Sequence, residues 1–197
     1  MSRRLRYQVA VSLDGYIARL DGSYDWIVMD PAIDFAAMYG EFDAAVMGRK
    51  TYDTVKRHDH MAMMKGIACV VFSRSEPARE EPGLRVTAED PAAVVRALKA
   101  QPGRDIWLYG GGELFRALLT AGLVDTVELA VIPVLLGAGV PLLPAGPVVP
   151  LVLSDQKVLP ASGIVALAYA VPGGVGPAPT ISYVRGRIFR SGSGFLP

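Results

Sequence analysis

The sequence predicts an α/β fold built on an open, mainly parallel sheet with helices on both faces and an antiparallel C-terminal edge. Two observations predict it. Up to Gly122, short apolar runs such as "AAVMGR", "ACVVFSR" and "DIWLYG" alternate with segments of helical spacing, and continuously apolar strands are those covered on both faces. From Thr126 onward the pattern changes to strands with no helices between them, as in "TVELAVIP", "LVLSDQKVL" and "IVALAYAV".

Taken in order, "RYQVAVS" is strand-like, and Asp14-Gly15 and Asp21-Gly22 mark turns in a loop that carries Tyr24 and Trp26. After Pro31, Ile33, Phe35, Ala36 and Tyr39 share a helical spacing, ahead of the strand "AAVMGR". "TYDTVKRHDHMAMM" reads as a polar-faced helix, "ACVVFSR" as a buried strand, and "LRVTA" as an alternating one. Asp90 caps a helix with Pro91 at its first position and Val94, Val95 and Leu98 facing inward. "DIWLYG" is the next buried strand. Leu114, Phe115, Leu118 and Leu119 make one helical stripe that Gly122 ends.

The chain has 197 residues, 51% hydrophobic and 20% charged, enough to bury a core in one domain. That domain is expected over residues 1–172. A Pro-, Gly- and Ser-rich extension follows over 173–197, in which "TISYVRGRIF" has the composition to dock as a further strand and "SGSGFLP" that of a flexible tail. A formal charge of +1 with scattered Lys and Arg offers no nucleic-acid or membrane attraction. No uninterrupted apolar stretch has membrane-spanning length, and the N-terminus lacks an export signal's apolar region. The lone Cys69 sits in an apolar run as a small hydrophobe, which fits a reducing, cytoplasmic setting. His58 and His60 stand two apart on a polar segment, so no metal site is expected.

Three strand ends carry the residues of interest. Gly110, Gly111 and Gly112 lie between the strand "DIWLY" and the helix that begins near Glu113 and Leu114. Glycines there either permit a tight turn or let a ligand phosphate approach the helix N-terminus without a Cβ in the way. The run matches neither the dinucleotide fingerprint nor a P-loop. "VMGRKTY" places Gly48, Arg49 and Thr51 after another strand, and "VVFSRS" places Ser73, Arg74 and Ser75 after a third. Each alone fits a solvated loop. Together they fit a ligand with several phosphates lying across the strand ends.

"VAVSLDGYIA", "DAAVMGRKTYD", "VVFSRS", "IWLYGGGELFRALL" and "VELAVIPVLLGAGVPLL" occur in that order between Val9 and Val171. As a set they resemble the dihydrofolate reductase superfamily, in the branch close to the reductase (RibD C-terminal) domain of bacterial riboflavin biosynthesis. The resemblance implies NADPH in extended form. Ala10 and Ile17 would line its nicotinamide end, Gly48, Arg49 and Thr51 would hold phosphates, Ser73, Arg74 and Ser75 would meet the 2′-phosphate side, and Gly110 to Leu114 would cradle the pyrophosphate.

Such a cofactor delivers a hydride, so no protein nucleophile is needed. A carboxylate to hold an amino-pyrimidine-like ring has three candidates. Asp34 on the first helix is the nearest match to the folate enzymes and reads equally as a solvated first-turn carboxylate. Asp30 is its rival. Asp14, in "SLDGYIA", resembles the riboflavin branch and reads equally as an Asx turn with Gly15. Trp26 could stack on a planar substrate or anchor its loop. The expected activity is NADPH-dependent reduction of a pteridine-, pyrimidine- or similar heterocyclic small molecule, with a non-catalytic binder of a drug-like ligand as the alternative. A homodimer through the apolar late strands is expected, both from their excess apolar surface and from the resemblance.

Overall fold

A computed structural model describes residues 3–58, 62 and 64–184. Nine strands form one sheet: β1 (Leu5–Ser12), β3 (Phe42–Gly48), β4 (Ala68–Phe72), β5 (Arg79–Glu81), β6 (Leu84–Thr87), β7 (Asp105–Gly110), β8 (Thr126–Ile132), β10 (Val152–Leu159) and β11 (Ile164–Ala170). Their order is β10-β11-β8-β1-β7-β3-β4-β6-β5. The run from β8 to β6 is parallel, whereas β10 and β11 are antiparallel at one edge and β5 at the other. A separate two-stranded sheet pairs β2 (Tyr16–Ala18) with β9 (Val140–Pro141).

Helices cover both faces, as the apolar runs require. On one face α1 (Phe35–Gly40) and α2 (Arg49–Arg57) contribute Met38, Tyr52 and Val55 to a core with Trp26, Met47 and Trp107. On the other, α3 (Pro91–Ala100) and α4 (Gly112–Thr120) bury Val94, Val95, Leu114, Phe115, Leu118 and Leu119 against Leu5, Tyr7, Val46 and Leu108. The three α4 leucines and Phe115 repeat at helical spacing and so reach the sheet together.

Three features differ from the sequence reading. The first helix is shorter than the spacing suggested: Asp34 is its N-cap, and Ile33 instead makes an isolated antiparallel bridge with Val184. The second edge hairpin, β5–β6, turns at Pro82-Gly83, where Gly83 has φ +79°. The segment after β11 reverses near Gly174 and runs back over the α1–α2 face, burying Ile181, Tyr183 and Val184. Of "TISYVRGRIF", the part beyond Val184 lies outside the described residues, as do "SGSGFLP" and, in the polar-faced helix, His60.

Candidate functional site

The parallel strands place their carboxyl ends in one row, and β3 and β7 are neighbours in it. The helices that follow these two strands begin differently from the other pair. At α1 the Asp34 carboxylate accepts from Ala37 N at 3.0 Å, and at α3 the Asp90 carboxylate accepts from Ala92 N and Ala93 N at 3.4 and 3.1 Å. The N-caps of α2 and α4 are Gly48 and Gly111, and neither helix has a side-chain cap bond. Two nine-residue helices thus leave their first amides without an intrahelical or side-chain capping acceptor, each at a positive dipole end.

These two N-termini converge. A Cβ built on Gly111 would stand 3.5 Å from Thr51 Oγ1 and 3.7 Å from Gly48 N. Gly111 has φ +98°, a conformation costly for any L side chain, so the glycine is needed by the turn itself. Gly48 has φ −77° and ψ 159°, which any residue can adopt, and a Cβ there would meet nothing within 4 Å. Amides, dipole ends, a hydroxyl and open space beside Gly48 are what a pyrophosphate requires, and the residues present fit one. Gly112 has another reason: a Cβ there would come within 3.1 Å of Pro144 Cδ and 3.2 Å of the Pro141 carbonyl oxygen. Glu113 is exposed in the first turn of α4, and the Leu114 side chain belongs to the core beneath it.

Along the row, Arg49 donates to Asp53 at 3.1 Å and to Ser75 Oγ at 3.2 Å, and lies 3.7 Å from Glu76, so its charge is already shared. The Ser73 hydroxyl is turned inward, accepting from Ser75 N and Glu76 N at 3.3 and 3.0 Å, and shapes the loop after β4. Arg74 at the tip of that loop is exposed, with no ion pair or hydrogen bond to a described residue. Ala10 lies half-buried on β1, on the face that carries α1 and α2, and Ile17 half-buried on β2.

The three acids separate clearly. Asp14 accepts from Ser12 Oγ at 2.6 Å and from the amides of Leu136 and Gly137 at 3.0 and 2.7 Å. These bonds fasten the β1–β2 turn to the loop after β8 and hold its carboxyl below the usual range, the Ser12 bond contributing most. Asp34 caps α1. Asp30 is buried, 3% exposed, and its Oδ1 accepts from Ala32 N at 2.8 Å while its Oδ2 has no hydrogen-bond partner. The neighbouring Ser162 hydroxyl, with the Ala32 amide, keeps the group ionised and below its ordinary value. Trp26 is 8% exposed in the same core cluster, and its indole Nε1 is likewise without a partner.

A third orphan completes this face. Gln8, two residues before Ala10 on β1, donates from Nε2 to Glu128 at 3.2 Å, but its Oε1 has no partner. Buried polar atoms in native proteins are normally satisfied, so three orphans on one face need a common reason. Aromatic rings line the same face in sequence: Phe35 to Tyr39, Tyr39 to Trp107 and Trp107 to Tyr109 have centroid separations of 6.2, 5.6 and 4.7 Å. Sequence reasoning missed Gln8 and ranked Asp30 second; the apolar run around Gln8 was the available signal, since a strand polar at one inward position needs a partner there. Elsewhere, burial pushes the Cys69 thiol up to about 11, and among the described residues no three His, Cys, Asp or Glu side chains group as a metal site. No described helix is long and apolar enough to cross a membrane.

Comparison with known proteins matches residues 3–163 to the family described as RibD C-terminal domain. Two Bacillus subtilis proteins, the uncharacterised YyaP and YwjB, are 32% and 33% identical over 151 and 145 residues, spanning 71% and 72% of this chain and 80% and 83% of theirs. The riboflavin biosynthesis protein RibD of Mycobacterium tuberculosis is 30% identical over 148 residues, 68% of this chain but only 43% of that protein. Among solved structures, a putative riboflavin biosynthesis protein from a Shewanella species superposes with a TM-score of 0.74 at 25% identity, covering 87% of this chain and 99% of that one. A pyrimidine reductase-like protein from Corynebacterium diphtheriae, at 18% identity and TM-score 0.62 over 86% of this chain and 92% of its own, shares the fold.

Proposed function

The chain belongs to the RibD C-terminal domain family, and from that premise we propose that it is a reductase that binds NADPH along its strand ends and directs the hydride to a pteridine-, pyrimidine- or similar heterocyclic small molecule. The observation that carries the reading is the convergence of two uncapped helix N-termini at Gly48 and Gly111. When bound, NADPH supplies the hydride and its electron pair. The protein's own task is to hold, orient and dry the reacting pair.

Each group has a part. The first amides of α2 and α4, with Thr51 Oγ1, hold the pyrophosphate. Arg74 and Ser75 meet the 2′-phosphate, a charge-assisted contact that NADH cannot make. Ala10 and Ile17 line the nicotinamide end. On the adjoining face the Asp30 carboxylate, ionised and with a free lone-pair site at Oδ2, accepts from a ring N–H, and Trp26 Nε1 donates to a ring nitrogen or carbonyl. Asp30 is thus an orienting acceptor rather than a proton donor, and Asp14 and Asp34 keep their structural partners. A reducing, cytoplasmic setting accords with the buried free Cys69.

The test is a screen of dihydropteridines and aminopyrimidines for NADPH-dependent absorbance loss, followed by Asp30→Asn on the compound that turns over. Asp30→Asn is expected to raise KM at least tenfold while leaving NADPH affinity within twofold. Ligands that quench tryptophan fluorescence with no NADPH oxidation would replace the reductase by a non-catalytic binder.

A further inference from the structure

The chain after β11 lies outside the span matched to the family, residues 3–163, yet it is tied across the face that carries the orphaned polar atoms. Val175 N donates to Asp125 Oδ1 at 2.7 Å, and Ser154 Oγ donates to the Pro179 carbonyl at 2.8 Å. Ile181 N donates to Asp155 Oδ2 at 2.8 Å, and Lys157 Nζ donates to the Ile181 carbonyl. Ser182 Oγ donates to Glu41, and Asp34 N donates to the Tyr183 carbonyl at 2.8 Å. The strap therefore climbs from the edge strand β10 to the start of α1, and its last described residues stand between that helix and the sheet.

Its Tyr183 ring is 7% exposed and lies beside Gln8 and within electrostatic reach of Glu128, Arg6 and Glu41. Residues i and i+2 of a strand share a face at a spacing of about 6.6 Å, so the ring sits roughly one nucleobase width along β1 from Ala10. It shares a core cluster with Trp26 and Trp107, and Ala10, Tyr39 and Tyr109 pack against that cluster. The Tyr183 hydroxyl lies within reach of the Gln8 side-chain amide, whose Oε1 has no other partner. Of the cations along the strap, Arg6 pairs with Glu128 at 2.7 Å and also with Glu41, Arg4 with Asp105 at 2.6 Å, and Lys157 with strap carbonyls, while the Arg104 side chain beside Pro177 to Thr180 makes no ion pair with a described residue.

We propose that Tyr183, delivered by this strap between α1 and β1, walls the inner end of the heterocycle cleft and sets the size of substrate admitted, favouring a compact ring over one bearing a phosphoribosyl arm. The inference rests on the reading that this face takes a heterocycle. Its aromatic body fills the space, and its effect is on selection among ligands rather than on the cofactor.

Equilibrium titration of the Trp26 and Trp107 fluorescence tests it without requiring turnover. The two probes are an unsubstituted dihydropteridine and 5-amino-6-(5-phosphoribosylamino)uracil, each titrated into the full chain, Tyr183→Phe and Tyr183→Ala. The parent is expected to prefer the dihydropteridine, Tyr183→Phe to keep that preference because it keeps the ring, and Tyr183→Ala to shift the affinity ratio toward the phosphoribosyl compound at least tenfold. If Tyr183→Ala fails to fold, Tyr183→Leu carries the same expectation in reduced degree. An unchanged ratio in a folded variant, or no binding of either compound to any of the proteins, overturns the inference. A shifted ratio with no NADPH oxidation supports it while removing the reductase reading.

Discussion

The substitution Gly48→Ala separates a glycine kept for a ligand from one kept for a turn. In the ligand-free chain it should be nearly silent. The backbone angles at Gly48, φ −77° and ψ 159°, suit alanine, and the added methyl has no atom within 4 Å. Alanine is a poorer N-cap than glycine by about 0.5 kcal/mol, while the stiffer unfolded chain returns about as much. The melting temperature should then move by no more than ~2 °C, since 1 kcal/mol corresponds to about 2–4 °C in a chain of this size. If a pyrophosphate oxygen lies against the Gly48 amide, the methyl displaces it and weakens one or two charge-assisted hydrogen bonds, each worth about 1.5–3 kcal/mol. NADPH affinity should fall roughly 10- to 100-fold, at about 1.4 kcal/mol per factor of ten. Gly111→Ala is the contrasting control. At φ +98° it stores strain of about 1–3 kcal/mol, so it should lower the melting temperature by about 2–12 °C before any cofactor is added. Calorimetric titration and thermal melts on the same preparations read both quantities. A Gly48→Ala protein that melts like its parent and binds NADPH within twofold of it would show that no phosphate lies there.

Arg49 is shared with Asp53, Ser75 and Glu76 while Arg74 is not, so Arg74→Ala should cost more of the NADPH-over-NADH preference than Arg49→Ala; titrations of both cofactors at moderate salt in which Arg49→Ala loses more would refute this. The Asp14 carboxyl is depressed below its ordinary 3.8 by Ser12 and by the Leu136 and Gly137 amides, so its contribution to stability is present above that value and lost as pH falls through the lower folded one. Asp14→Asn should therefore melt lower than the parent at pH 7 and converge with it in strongly acidic buffer, and a gap that persists at the acid end would disprove the linkage. On the sheet face away from the strap, Leu153 and Val158 are exposed on β10 beside half-buried Val165, Leu167 and Tyr169 on β11 and Leu129 and Val131 on β8. That face should pair with a second copy, and sedimentation at micromolar concentration showing only a 21.0 kDa species would reject the dimer.

What was legible in the sequence follows the range of the forces involved. "AAVMGRKTY" announces a buried strand, a turn and a helix because each signal is local, and β3 and the start of α2 fall where it places them, although α2 ends at Arg57, short of the segment read as helical. The stripe from Leu114 to Leu119 is legible for the same reason. The first helix was read too long because Ile33 has a partner 151 positions away in Val184, and no local spacing records that bridge. The small β2–β9 sheet has three- and two-residue strands, too short for alternation to show. The choice among Asp14, Asp30 and Asp34 depended on burial and on where each carboxylate spends its lone pairs, both properties of the assembled fold. The β5–β6 hairpin, like Gln8, left a signal unused, its Pro82-Gly83 turn.

The two ends of the sheet solve opposite problems with the same kind of group. At the amino ends of the parallel strands, charges are matched within the chain: Arg3 with Asp43, Arg4 with Asp105, Arg6 with Glu128 and Glu41, and Lys99 with Asp125. Arg6 and Glu128 are 3% and 1% exposed, so neither can be left without the other; removing one partner of such a pair costs about 3–5 kcal/mol. The polar groups of these pairs are spent on one another. At the carboxyl ends the amides of α2 and α4 are unspent, although a Ser, Thr, Asp or Asn at position 48 would cap α2 at no steric cost, given the open space and permissive backbone there. Glycine at that position forgoes the stability of such a cap and keeps the amides available. A helix end left open where a cap would fit is accounted for by something outside the chain that completes it, and an anion between the two N-termini is what their dipoles would accept.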